Sequence, residues 1–377
     1  MKKLFTLLVL LLSFSTLFAQ QTYVALLNHE GTITTYYGIE ALTQAHEAAV
    51  HGDVITLSGG IFTAPTWTKA VTLRGVGCYE GKDGNREITS ISNEFRLAIS
   101  PDIEKTVTFE GIKFNSYFSF STSSSHFANN SIFLKCYFGK ISSVLGNSSF
   151  YNCIIASEIT FYGANLTNVN LFNCYVNDPH HPNYSNISVK FTNCNVRFSS
   201  TYQTPSSVDN GHRVWEMNYA KYSNCIFLGN IWNSRADTKI TDFDIPTNCS
   251  ATNCLSCYCA YQDATETEKA PYDYDIFDEM SNTTNKYLEK GKPIAETITS
   301  VFKTYNGTDD FTFHELYELT DEAKALYIGS DDTQVGIYGG IGFDLVPSTL
   351  QITKCEVSPR STADGKLSVS IEIGIPE

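Results

Sequence analysis

Phe150-Tyr151-Asn152-Cys153-Ile154-Ile155 is the stretch whose reading decides the fold. Its pattern is an aromatic or aliphatic residue, any residue, an Asn-Cys pair, any residue, then a hydrophobe. The pattern returns as Leu171-Phe172-Asn173-Cys174-Tyr175-Val176, as Phe191-Thr192-Asn193-Cys194-Asn195-Val196 and as Tyr222-Ser223-Asn224-Cys225-Ile226-Phe227. A degraded copy is Ala251-Thr252-Asn253-Cys254-Leu255-Ser256. Copies lacking Asn or Cys lie upstream, at Phe133-Leu134-Lys135-Cys136-Tyr137-Phe138 and Phe109-Glu110-Gly111-Ile112-Lys113-Phe114. Cys153, Cys174, Cys194 and Cys225 are separated by 21, 20 and 31 residues. A period near 20 that tolerates insertions is the mark of a solenoid.

Stacking explains the residue choice. Each copy is a short β-rich segment whose unpaired backbone becomes the partner of the next copy. Asn tolerates the left-handed φ/ψ of a tight corner, and its amide is expected to bond the Asn above and below. The Cys residues share one phase of the repeat, so they stack as small hydrophobes. Stacked strands lie about 4.8 Å apart, but parallel in-register side chains suit a disulfide poorly. Reduced, buried thiols are expected.

Composition narrows the function. The chain has 26 basic and 40 acidic residues, a net charge of −14, which disfavours nucleic acid or an anionic membrane as partner. With 22 Tyr and 24 Phe and only 18% charged residues, it suits a large β structure. Met1-Lys2-Lys3 followed by the apolar run Leu4–Phe18 and Ala19-Gln20 reads as a secretory signal peptide over residues 1–19. No membrane span is expected after it, so the mature chain is expected to be exported to the periplasm, the cell surface or the medium.

Residues 38–53 carry Ile39, Leu42, Ala45, His46 and Ala49 at helical spacing, with Gly52 as the stop. Then come Asp53-Val54-Ile55-Thr56-Leu57, the turn Gly59-Gly60, and Val71-Thr72-Leu73-Arg74-Gly75. These phrases resemble the opening of right-handed parallel β-helix proteins of the pectate-lyase-like superfamily. That resemblance implies an all-β, right-handed parallel β-helix over residues 20–260 with an N-terminal cap helix. The fold hosts lyases, hydrolases, adhesins and inert scaffolds, so it implies no single activity.

Beyond residue 260 the repeat is gone. Residues 261–345 are expected to form a C-terminal capping region. Gly329-Ser330-Asp331-Asp332 and Gly336-Ile337-Tyr338-Gly339-Gly340 there resemble the Gly-rich closing segment of secreted β-helix proteins. Residues 346–377 read as a terminal hairpin across Asp364-Gly365, or as the stub of a further domain.

Two loop insertions hold the densest polar chemistry. One carries Asp178, His180 and Tyr184; the other carries His212, Arg213, Trp215 and Glu216. Asp178, His180, His212, Arg213 and Glu216 are the candidate acid/base residues. Tyr184, Tyr202 and Trp215 are candidates for stacking on sugar rings, with Trp232 as a further aromatic. A pair of solvated loops set by Pro and Gly is the competing interpretation. The acids of the repeat region, Glu110, Glu158, Asp178, Asp209 and Glu216, recur in no register, which disfavours a Ca²⁺ cage. Gly211-His212-Arg213 is present, but the Arg-Ile-Lys phrase of polygalacturonases is not. The crowded Cys249, Cys254, Cys257 and Cys259 lack the paired spacing of a zinc ribbon, and no metal site is expected.

The sequence therefore points to an exported β-helix with a non-catalytic surface, glycan-binding or adhesion role. The alternative is a polysaccharide lyase or glycoside hydrolase with its site in the 178–216 loops. No cofactor is expected, and Ca²⁺ enters only with the lyase alternative.

Overall fold

Two long sheets stack along the chain, and each rung contributes one strand to each. A computed structural model describes residues 23–81, 84, 86–100, 102–121, 130–144, 146–161, 168–177, 179–180, 188–198, 220–233, 250–262, 286–287, 294–305, 317–347, 351–361 and 367–374. The first sheet has eleven strands. It opens with an antiparallel hairpin, Val24–His29 with Thr32–Tyr37, and continues through parallel strands from Val54–Leu57 to Ser250–Thr252. The second has twelve and runs in parallel from Gly60–Phe62 to Lys286–Tyr287, with Phe95–Leu97 and Pro179–His180 paired at its side. The chain is thus the all-β parallel β-helix solenoid that the repeat predicts. Among the described residues no helix is long and apolar enough to cross a membrane.

The register shows why the motif repeats. Phe109, Phe133, Phe150, Leu171, Phe191, Tyr222 and Ala251 pair in sequence across the first sheet. All point inward and are buried. Phe133 stacks on Phe109 at 5.3 Å and on Phe150 at 4.6 Å; Phe191 stacks on Tyr222 at 4.8 Å. Phe114 and Phe138 form a matching step in the second sheet at 5.1 Å. Each fully buried ring of this kind contributes about 2–3 kcal/mol by leaving water.

Between the ring ladders run the cysteines. Cys136, Cys153, Cys174, Cys194, Cys225 and Cys254 are buried thiols that form no disulfide. Each of the first five thiols donates to a carbonyl of the rung before it. The acceptors are the oxygens of Phe109 (3.6 Å), Phe133 (3.5 Å), Phe150 (3.5 Å), Leu171 (3.3 Å) and Phe191 (3.4 Å). Burial pushes the thiols of Cys136, Cys174, Cys225 and Cys254 well above their ordinary range, so they stay protonated.

The helix Ala41–Ala48 packs on the first strands of the first sheet and supplies Ala41, Leu42, Ala45 and His46 to the core. It ends before Gly52, the stop read from the sequence. Lys69 Nζ takes the carbonyls of His46 (2.8 Å) and Glu47 (2.6 Å), and the Asp53 carboxylate accepts the Val50 N–H at 2.8 Å. These groups satisfy the chain's polar atoms without another helical turn. His46 lies against the Trp67 ring at 4.4 Å and accepts from the Thr68 N–H. Burial, and then the charge of Lys69, lower its pKa to about 4.

Residues 294–305 and 317–347 lie on the outer surface of the second sheet. The helix Ile294–Val301 brings Ile298 and Val301, and the following chain brings Phe302, Tyr305, Tyr317 and Leu319. They cover Ile154, Tyr175, Ile226, Leu228 and Leu255, the outward residues of successive rungs, and Tyr317 stacks on Tyr175 at 5.1 Å. A short helix, Asp321–Leu326, starts at Thr320, whose hydroxyl accepts the Ala323 N–H. At the end of the chain, Gln351–Ser361 pairs antiparallel with Leu367–Gly374, the hairpin expected around Asp364-Gly365.

Two outcomes follow. A thiol reagent leaves Cys136, Cys153, Cys174, Cys194, Cys225 and Cys254 unlabelled in the native protein and labels them after guanidinium unfolding; peptide mass spectrometry reads both states. The second concerns His46, which is neutral when folded down to pH about 4 while the unfolded chain binds the proton from about pH 6.5. Stability therefore falls as pH drops from 6.5 towards 4, by about 2 kcal/mol after allowance for solvent screening. His46→Gln flattens that part of the Tm profile.

Candidate functional site: the asparagine corner and the outer face

From Gly111 to Asn253, each rung turns from the first sheet into the second at one residue with positive φ. The series is Gly111 (64°), Lys135 (54°), Asn152 (52°), Asn173 (50°), Asn193 (52°), Asn224 (55°) and Asn253 (50°). Asn accepts this region at lower cost than other side chains, which accounts for its recurrence. The amides do not simply bond one another, as the sequence suggested. Several reach outward to the segment 329–347, which runs lengthwise along the corner as a strap.

The strap travels back along the coil. Asn224 Oδ1 accepts from Ser330 N at 2.8 Å, and Gly336 N donates to the Asn224 carbonyl at 2.8 Å. Asn193 Nδ2 donates to the Asp331 carboxylate at 3.0 Å. Asn195 Oδ1 accepts from Ile337 N, and Asn173 Nδ2 donates to the carbonyls of Ile337 (2.8 Å) and Gly339 (2.6 Å). Lys135 stands in the Asn position of its rung. Its ammonium reaches Asp344 Oδ2 at 2.7 Å and the Val346 carbonyl at 2.5 Å. At the next rung Gly111 leaves room for Pro347, since a Cβ there would lie 2.6 Å from Pro347 Cγ. Burial opposes ionisation of Asp331, but bonds from Asn193 and Thr333 outweigh it and hold the carboxyl below its usual range.

A second surface, over which no described segment lies, is found where the strands of the second sheet continue past the corner. Ile112–Phe120, Tyr137–Val144 and Ile154–Phe161 are long, and the pairing shifts between Phe138 and Lys140. The bulge re-aims the chain, so that Phe118, Ile141 and Ile159 remain buried while Tyr117, Lys140 and Glu158 align on the outside. Tyr117 is 50% exposed. Lys140 Nζ sits 5.3 Å from the Tyr117 ring centroid and 2.5 Å from Glu158 Oε2. In the neighbouring column Ser119 donates to Glu94 at 2.8 Å, beside the exposed Arg96. This face offers an aromatic ring flanked by a cation, carboxylates and hydroxyls, a set suited to a sugar's CH face and hydroxyl groups.

Asp178, Tyr184, Tyr202, His212, Arg213, Trp215 and Glu216 lie outside the described residues, and the Trp232 side chain does too. For His180 the backbone is described: Pro179–His180 pairs with Ile159 and Thr160, next to Glu158 in the second sheet. Among the described residues no cluster of three or more His, Cys, Asp or Glu forms a metal-ligand set. Sequence reading overlooked Tyr117 and Lys140. The available signal was their place, four or five residues beyond the core position of the motif, where a strand longer than the motif must turn outward. No protein-family model, curated protein or solved structure matches the chain.

The amide of Asn173 is the test of the corner. Asn173→Gly keeps the positive φ and deletes two buried donors, which lowers stability by about 1–3 kcal/mol in denaturant titration. Hydrogen exchange at Ile337 and its neighbours rises while exchange in the ring ladder is unchanged.

Proposed function

We propose that this is an exported β-helix protein of pectate-lyase-like ancestry that binds glycan chains without cleaving them, at the surface of the cell or outside it. The observation that carries the reading is the column Tyr117–Lys140–Glu158 on a face of the coil that no described segment covers. Its groups are spaced by the rungs of the sheet, about 4.8 Å. That is close to the repeat of a sugar ring, so a linear chain lying along the coil meets one row of contacts after another. The apolar run Leu4–Phe18 after Lys2-Lys3 supports export.

One observation favours a second reading. The backbone of Pro179–His180 pairs with Ile159 and Thr160, next to Glu158. A lyase or hydrolase with its site in the 178–216 loops would thus have one of its residues, His180, beside the binding column, and only in the lyase case would Ca²⁺ be required.

A glycan array with product analysis separates the two. The binding reading expects retained, intact glycan and an affinity loss of at least tenfold in Tyr117→Ala at unchanged Tm, with a smaller loss in Lys140→Met. Unsaturated or reducing-end products that vanish in Asp178→Ala or His212→Ala would replace it with the enzymatic one.

A further inference from the structure

The coil begins on an open strand edge. Thr32–Tyr37 pairs with Val24–His29 and ends the eleven-stranded sheet; among the described residues nothing pairs with its other side. One bond fixes the direction of its free groups. Gly38 N–H donates to the Tyr23 carbonyl at 2.9 Å, so the Tyr37 carbonyl, across the same trans peptide, points away from the sheet. Main-chain groups alternate along an antiparallel strand, so Ile33, Thr35 and Tyr37 present N–H and C=O to the open edge, while Thr32, Thr34 and Tyr36 bond inward. The same three residues share one face of the sheet. Ile33 is 61% and Tyr37 47% exposed, whereas Tyr36 packs on the core. The strand carries no Lys, no Pro and no bulge, the devices that keep an edge from pairing.

The body of the coil leaves this edge within reach. The hairpin adds two strands to the first sheet beyond Val54–Leu57, while the second sheet starts at Gly60–Phe62 of that same rung. The first sheet therefore projects by two strand spacings, about 10 Å, and the helix Ala41–Ala48, about as thick, packs behind the step. Of the nine large hydrophobic residues exposed among the described residues, five belong to the elements that open the coil: Ile33, Tyr37, Ile39, Val50 and Ile61.

We propose that this edge is the interface of a head-to-head dimer, in which Thr32–Tyr37 pairs antiparallel with the same strand of a second copy about a two-fold axis through Thr35. The partner is a second copy because the strand fits itself. With Thr35 facing its own counterpart, Ile33 of each copy faces Tyr37 of the other. The residues whose N–H and C=O point outward are then the ones that form hydrogen-bonded pairs, each exchanging two bonds. Ile33 and Tyr37 cover each other on the exposed face, an aliphatic–aromatic pair of the kind that stabilises antiparallel strands. The apolar–Thr–apolar order of residues 33, 35 and 37 reads alike in both directions, as a two-fold interface requires. Glu30 and Glu40, exposed beyond the two ends of the strand, come opposite one another, so salt screens their repulsion and tightens the dimer.

An interface this small associates weakly, so sedimentation velocity of the full chain is expected to show a monomer–dimer equilibrium at about 10–100 μM. Thr35→Pro removes an outward N–H without touching a bond to Val24–His29, and is expected to raise the dimer Kd at least tenfold at unchanged Tm. Ile33→Lys raises it by a similar factor. Ile33→Lys combined with Tyr37→Glu restores it to within about threefold, because the register sets each new cation opposite a carboxylate. A monomer throughout that concentration range overturns the proposal, and so does a dimer that Thr35→Pro leaves intact. Should Thr35→Pro lower the Tm, the charge pair decides: recovery in the double variant supports the two-fold register, and its absence overturns it.

Discussion

A coil of stacked rungs depends on every rung turning at the same place and by the same angle. In this protein that requirement falls on one residue per rung, held at φ between 50° and 64° from Gly111 to Asn253. If one corner slipped by a single residue, inward and outward side chains would exchange along the whole of the next strand. The ring ladder and the thiol ladder both rest on that register. Phe133 stacks between Phe109 and Phe150 because three successive corners agree.

The corner sets the outside as well as the inside. A left-handed residue needs a small or amide-bearing side chain, and the amide comes with a donor and an acceptor. Those groups are then available in a row along the coil, where the strap's backbone finds them. Lys135 shows the alternative. Its longer side chain occupies the same corner, and the strap meets it with Asp344 and a free carbonyl instead of with amide-seeking backbone. The outward residues of the second sheet follow the same logic. Where the segments 298–305 and 317–345 lie over them they are Ile154, Tyr175 and Ile226; beyond the bulge, where nothing described covers them, they are Tyr117, Lys140 and Glu158.

The fold was legible because the repeat states the corner, the inward ring and the inward thiol in six consecutive letters. The cap helix was legible from its spacing. Its end was not, since Lys69 and Asp53 terminate it through tertiary contacts that spacing does not carry. The candidate face was missed for a related reason. Tyr117, Lys140 and Glu158 sit after a bulge that shifts their offset from the motif, so no fixed period connects them. The strap's Gly-rich sequence stood out as special, but its path did not. Main-chain recognition leaves few marks in a sequence beyond the glycines at Gly336 and Gly340 that close approach demands.

The strap also fixes an order of events. Its last anchor joins Val346 to Lys135, 211 positions earlier in the chain, and its first joins Ser330 to Asn224. Closing so large a loop is favourable only once the rungs between those anchors stand in register. The coil can zip rung by rung through near-neighbour pairing, whereas the strap must wait for a finished track. Its seating is therefore a late checkpoint in folding, met only by a chain whose corners from Lys135 to Asn224 are all correctly aligned.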